Sequence, residues 1–166
     1  MTAVPEPIAD LMIEAAVPED AGPILTVQRA AYVSEAQLYG DPFITPLTES
    51  LAQVRAAVDG DGVVLVARLG TRVVGSVRGL LNGRTAQIGR LVVAPDEQRH
   101  GVATRLMDVV EAALAPDCDE YALFTGHLSE GNLRLYRRRG YAETRREHIG
   151  GALTFVHFRK KVAAPS

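Results

Sequence analysis

The chain has 166 residues, 47% of them hydrophobic and 23% charged, with a formal net charge of −2. That length suits one domain around one core, and the near-neutral balance excludes a general affinity for nucleic acid or an anionic membrane surface. Its single cysteine, Cys118, can form neither an internal disulfide nor a cysteine-based zinc site.

Residues 1–9 are proline-rich and read as a disordered tail, 10–161 as a single domain and 162–166 as a C-terminal tail. No basic-then-apolar leader opens the chain, and no apolar run approaches the roughly 20 residues of a membrane helix. A cytoplasmic protein without a membrane partner is expected. "LMIEAAV" (Leu11 to Val17) is short and apolar and suits a first strand. "PEDAGPILTVQRAAYVSEAQ" reads as a helix: Pro18, Glu19 and Asp20 fit a first turn, and Ile24, Val27, Gln28 and Ala31 recur at helical spacing. After the turn-rich "YGDPFITP", a second helix is expected over Thr48 to Val58, with Leu51, Val54 and Val58 on one face.

"DGDG" (Asp59 to Gly62) breaks the chain. "VVLVARL", "RVVGSVRGLL" and "TAQIGRLVVAP" then read as three strands joined by "GT" and by the hairpin signal Asn82-Gly83, an antiparallel meander. A helix follows from about Gly101 to Ala115, with Val102, Leu106, Val109, Val110, Ala113 and Leu114 as its apolar stripe. "EYALFTG" is a strand, "SEGNLRLYRRRG" a helix stopped by Gly140, and "YAETRRE" and "ALTFVHFRK" a closing strand pair around "HIGG". The order β-α-α-β-β-β-α-β-α-β-β predicts an α/β (α+β) fold. Its mixed, mostly antiparallel sheet has about seven strands and about four flanking helices, set on both faces.

The most informative stretch is "DEQRHGVATRLM", Asp96 to Met107. It joins a strand to a helix through Gln98, Arg99, His100 and Gly101, where Ser, Thr or Asp would ordinarily cap the helix. Backbone N–H groups at such a start, together with the positive end of the helix dipole, form an anion site. Gly101 allows close approach, Ala103 keeps the helix start narrow, and Arg99 and His100 add positive character. The missing cap is then supplied by a phosphate or pyrophosphate. A P-loop is excluded, because no lysine follows the glycine, and so is a dinucleotide fingerprint, which needs further glycines near the first strand.

"LVVAPDEQRHGVATRLM" resembles the acetyl-CoA-binding motif of the GCN5-related N-acetyltransferases, [Q/R]-x-x-G-x-[G/A] after a strand that ends in valine. "RLYRRRGY" (Arg134 to Tyr141) resembles that family's second hallmark. The resemblance spans nearly the whole chain and implies acetyl-CoA as donor substrate, with no metal. It implies that the main chain of Leu91, Val92 and Val93 holds the pantetheine arm. The backbone from Arg99 through His100, Gly101, Val102 and Ala103 to Thr104 would hold the pyrophosphate. Tyr136 matches the tyrosine that protonates the departing thiolate. Asn132, four residues before it, is a further cofactor contact, while Ser129 stands where the family often has asparagine.

The general base is where the resemblance thins. Gln87 stands where an acid is frequent in the family, and Phe124-Thr125 offers no carboxylate either. The base is a water chain, a histidine or an acid from elsewhere. His127 is the best-placed histidine, and Tyr32 and Glu35 lie on the helix that borders the family's acceptor site. The expected reaction is acetyl transfer to a primary amine of a small molecule by direct attack. A non-catalytic acyl-CoA sensor and a protein N-terminal or lysine acetyltransferase are the alternatives. A homodimer through the last strands is a further implication. A nucleic-acid role for Arg137 to Arg139 is disfavoured by the acidic balance.

Overall fold

The computed structural model describes residues 10–163. Its strands are β1 (Leu11–Ala15), β2 (Val63–Leu69), β3 (Arg72–Asn82), β4 (Thr85–Val93), β5 (Glu120–Gly126), β6 (Ala142–Gly150) and β7 (Leu153–Lys161). Its α-helices are α1 (Ala21–Tyr39), α2 (Thr45–Thr48), α3 (Leu51–Asp59), α4 (Val102–Leu114) and α5 (Glu130–Arg138). One seven-stranded sheet runs in the order β1-β2-β3-β4-β5-β7-β6, and every neighbouring pair is antiparallel except β4 and β5. The expected α/β fold with a mixed, mostly antiparallel sheet is therefore the observed one. The expected tail at 1–9 lies outside the described residues, as do 164–166.

Helix α4 buries Val102, Leu106, Met107, Val110 and Leu114 and packs on β3 and β2, while α1 packs on β3 and β4. β3 is consequently buried over Val73 to Val77. Ala113, expected in the α4 stripe, is exposed, and Glu111 is buried in its place. Side chains from beyond α4 make that possible. The Glu111 carboxylate accepts from Arg139 at 2.8 Å, Lys160 at 2.9 Å and the Tyr141 hydroxyl at 2.7 Å. A buried charge with three donors is a tolerable one.

Three boundaries differ from expectation. Pro18–Asp20 forms a separate 3-10 turn, and α1 starts at Ala21. Asp20 accepts from the Val17 N–H at 2.9 Å and holds the Arg68 guanidinium at 2.7 Å through both oxygens. The helix expected over Thr48 to Val58 is two helices. Glu49 is extended between them, and Ser50 caps α3 in a reciprocal pair with Gln53. Val54 is fully buried, as its spacing predicts, but Leu51 is exposed. Finally, β6 runs through His148, which pairs with Thr154, so the "HIGG" spacer shrinks to a tight turn.

The feature that builds the site is a gap in the sheet. β4 and β5 pair only at Thr85–Glu120, Ala86–Tyr121 and Gln87–Ala122. From Ile88 onward the two strands diverge unpaired.

Candidate active site

Along that gap β4 offers its main chain. The Ala94 N–H donates to the Val74 carbonyl on β3 at 2.8 Å. Strand alternation therefore turns the Val93 N–H the other way, into the gap. Gln98 donates its amide to the Val93 carbonyl at 3.2 Å and so ties the following loop back to the strand end. In that loop Arg99 has φ 69° and Gly101 has φ 82°. Two left-handed residues around His100 curl the chain into the start of α4, a backbone concavity of the kind that receives anions. Gly101 is the N-cap and supplies no side-chain cap, so the first-turn N–H groups of the 13-residue helix face outward.

These elements line a groove of about 670 Å³ that includes Leu91, Val92, Val93, Arg99, Gly101, Val102, Ala103, Thr104 and Asn132. Arg134 and Arg138 of α5 line its far wall. Unpaired strand backbone, an open helix start and three guanidinium groups fit a pantetheine arm carrying a pyrophosphate. His100 is the exception among the residues expected here. Its side chain lies outside the groove lining, with Nδ1 3.2 Å from a Glu97 carboxylate oxygen.

A second cavity of about 480 Å³ opens further back along β4, over Ile88 to Leu91, between α1, the α1–α2 loop, β5 and the β6–β7 turn. Tyr136 lines it, as do Tyr39, Arg90, Phe124 and Phe155. Four residues line both cavities: Tyr32, Glu35, Leu91 and Asn132. The two spaces therefore adjoin, and Glu35 is the one carboxylate common to them. Asn132 donates to Thr125 Oγ1 at 3.2 Å, which fixes its amide at this junction.

Glu35 is held by a relay. The Ser129 hydroxyl donates to Glu35 Oε2 at 2.5 Å, and the Tyr39 hydroxyl lies 2.7 Å from Ser129 Oγ. Since the one Ser129 proton goes to Glu35, Tyr39 donates to Ser129 and accepts from the Leu128 N–H at 3.0 Å. Gly126 makes room for this arrangement, because a Cβ there would overlap the Tyr39 hydroxyl and ring. Tyr136 is buried; burial pushes its phenol pKa well up, and the neighbouring Tyr32 and Glu35 push the same way. It stays protonated at neutral pH. Burial also raises the Tyr32 phenol, against an opposing pull from Arg90.

His127 stands apart from both cavities. Its Nδ1 accepts from the Thr154 N–H at 3.2 Å, and its ring lies 5.9 Å from that of Tyr39. Behind the second cavity is a cluster that sequence reading missed. Arg78 grips Glu49 with both guanidinium nitrogens, at 2.7 and 3.1 Å, and Gln28 donates to the same carboxylate at 3.0 Å. Burial alone would raise the Glu49 pKa; these donors outweigh it and hold the group at about 2. No local spacing in the sequence signals the cluster, because its members come from α1, the α2–α3 link and β3.

Among the described residues no group of His, Cys, Asp and Glu side chains could hold a metal ion, and no helix is long and apolar enough to cross a membrane. Solved structures share the fold. The N-acetyltransferase from Staphylococcus aureus Mu50 superposes with a TM-score of 0.77 at 14% identity, covering 93% of this chain and 100% of that one. The PaiA N-acetyltransferase from Thermoplasma acidophilum, in complex with coenzyme A, gives 0.73 at 18% identity, covering 89% and 97%. YncA from Salmonella typhimurium, with its cofactor acetyl-CoA, gives 0.74 at 18% identity, covering 95% and 99%. A sequence search of curated proteins gives no match. The model of the acetyltransferase (GNAT) domain matches residues 29–162, most of the chain and both cavities with it, and the chain belongs to that family of acetyltransferases.

Proposed function

We propose that the protein transfers an acetyl group from acetyl-CoA to the primary amine of a small molecule by direct attack. The observation that carries this reading is the junction. The groove beside β4 and the second cavity share Tyr32, Glu35, Leu91 and Asn132, so a donor in one and an amine in the other would have reacting atoms side by side. The coenzyme A and acetyl-CoA held by two structural neighbours support the choice of donor. When bound, acetyl-CoA supplies an activated acyl carbon and a thiolate leaving group.

The chain's own groups then have separable roles. The N–H donors of Val102, Ala103 and Thr104 and the arginines of the groove take the pyrophosphate. The Val93 N–H faces the gap and donates to the thioester carbonyl oxygen as negative charge develops there. A preorganised donor of this kind is worth roughly 3–4 kcal/mol. Glu35 takes the proton that the amine nitrogen sheds as the C–N bond forms. Tyr136, kept protonated by its burial, delivers its phenolic proton to sulfur as the C–S bond breaks. Orienting the two substrates across one shared wall supplies a further large share of the acceleration.

The test is thiol release by the full chain from acetyl-CoA, followed with a disulfide chromogen against a panel of amines. Amine-dependent thiol release with a matching N-acetyl product supports the reading. Tight acetyl-CoA binding with no turnover on any amine or N-terminal peptide overturns it in favour of a sensor.

A further inference from the structure

We propose that the acceptor is an amine that also carries a carboxylate on a large apolar body, a free amino acid of the phenylalanine or leucine kind, and that Arg90 receives that carboxylate. The inference rests on the acetyl-transfer reading and deepens it. Arg90 has φ 51°, a left-handed conformation that strains a residue bearing a side chain. It sits where the β3–β4 register slips: Gly89 pairs with Arg78, and the next pairing is Val92 with Ser76. Two residues, Arg90 and Leu91, thus oppose Val77 alone. Such a bulge re-aims a side chain, and here it turns Arg90 into the lining of the second cavity.

The guanidinium then lacks a full partner. Its Nε is buried with no hydrogen bond. The nearest carboxylate oxygen, Glu49 Oε1, is 3.6 Å away, and Glu49 is already engaged by Arg78 and Gln28. Two guanidinium groups thus face one carboxylate in this corner. A half-buried guanidinium whose buried Nε lacks a hydrogen bond is completed by an anion, and a planar guanidinium matches a carboxylate in two-point geometry.

The other charged side chains that line the cavity are Glu35 and Asp41. Glu35 on α1 and Arg90 on β4 line this cavity together with Tyr32, and both charges bear on the Tyr32 hydroxyl. An amine toward Glu35 and a carboxylate toward Arg90 describe an amino acid that enters the transfer as its neutral amine. Much of the remaining lining is apolar. Phe43, Phe124 and Ile149 are exposed large hydrophobics on this cavity, and the Phe124 and Phe155 rings stand 4.5 Å apart. An aromatic or branched side chain would cover them.

The experiment compares matched acceptors that differ only in the carboxylate: phenylalanine against 2-phenylethylamine, and leucine against 3-methylbutylamine, each at saturating acetyl-CoA. The expected result is a kcat/KM at least about 100-fold higher for the amino acid, since a site built to bond a polar group rejects the analogue without it. In Arg90→Gln that ratio falls below 10-fold, chiefly through KM for the amino acid, and Arg90→Lys restores part of it. Equal turnover of the matched pairs by the native protein overturns the proposal, as does a preference for O-phosphoethanolamine over every amino acid. Should no amine turn over, the acetyl-transfer reading fails, and binding decides the role of Arg90. Phenylalanine then raises the Tm of the native protein and not that of Arg90→Gln if the carboxylate site exists. Equal shifts, or none in either protein, refute it.

Discussion

At the scale of single residues, the proposed chemistry divides between a group that must give a proton and one that must take it, and their surroundings differ accordingly. Tyr136 is enclosed, with no hydrogen bond acting on its phenol, and its raised pKa keeps the hydroxyl protonated at neutral pH, so it can serve as a proton source and not as a base. Tyr136→Phe should lower kcat by roughly 100-fold while the KM for acetyl-CoA changes less than about threefold. An unchanged kcat in steady-state kinetics would remove the assignment. Glu35 instead is positioned from behind by Ser129 and Tyr39, with its carboxylate at the junction of the two cavities. Glu35→Gln should lower kcat/KM for the amine by roughly 100-fold. Calorimetric affinity for acetyl-CoA should stay within a factor of about three, which separates loss of the base from loss of the donor site. Ser129→Ala should produce a smaller loss of the same kind, because it frees Glu35 without removing it.

At the scale of elements, the junction exists because α1, β4, β5 and α5 each bring one part to it. The Tyr39 hydroxyl, at the end of α1, bonds to the turn between β5 and α5, and Gly126 is the clearance that permits it. Gly126→Ala should displace Tyr39 and lower stability by about 1–3 kcal/mol, read as a fall in the urea midpoint. It should lower acetyl transfer as well, since Glu35 loses its support. None of this was legible in the sequence, where Tyr39 and Gly126 stand in unrelated segments. What was legible is what local pattern encodes. The α4 stripe, the β2–β3–β4 meander and the capless start at Gly101 all follow from spacing or from a missing side chain. Ala113 and Glu111 mark the limit of that method, because three donors from outside α4 decide which of them is buried. The split of the expected Thr48 to Val58 helix was readable in principle. Ser50 with Gln53 is a capping pair, and it outweighs the apolar spacing that suggested an earlier start. Arg90 had no signal at all, since a bulge is a property of two strands in register.

At the scale of the whole molecule, two carboxylates, Glu111 buried and Glu49 partly so, tie distant segments together. Glu49 links α1, the α2–α3 link and β3, while Glu111 links α4 to Arg139, Tyr141 and Lys160. The pKa of each is held below its ordinary value of 4.5 in the folded state, that of Glu49 at about 2. A depressed folded pKa contributes stability that is complete above the unfolded value and is lost as pH falls toward the folded one. The urea midpoint should therefore hold from pH 7 to about 5 and drop between pH 4.5 and about 2. In Glu49→Gln that drop should be shallower from a lower starting point. An identical acid profile in native protein and variant would refute the linkage.

The shared wall between the cavities has a thermodynamic meaning of its own. Tyr32, Glu35, Leu91 and Asn132 belong to both spaces, so a ligand that settles them in one arrangement presents that arrangement to the other. Any factor by which a donor changes acceptor affinity must then equal the factor by which the acceptor changes donor affinity. Titrating desulfo-CoA, an unreactive stand-in for the donor, with and without the amine, and the amine with and without it, should return one coupling constant from two directions. The product complex inherits the same coupling, so the affinity of N-acetyl product and that of CoA each depend, by one common factor, on whether the other is still bound.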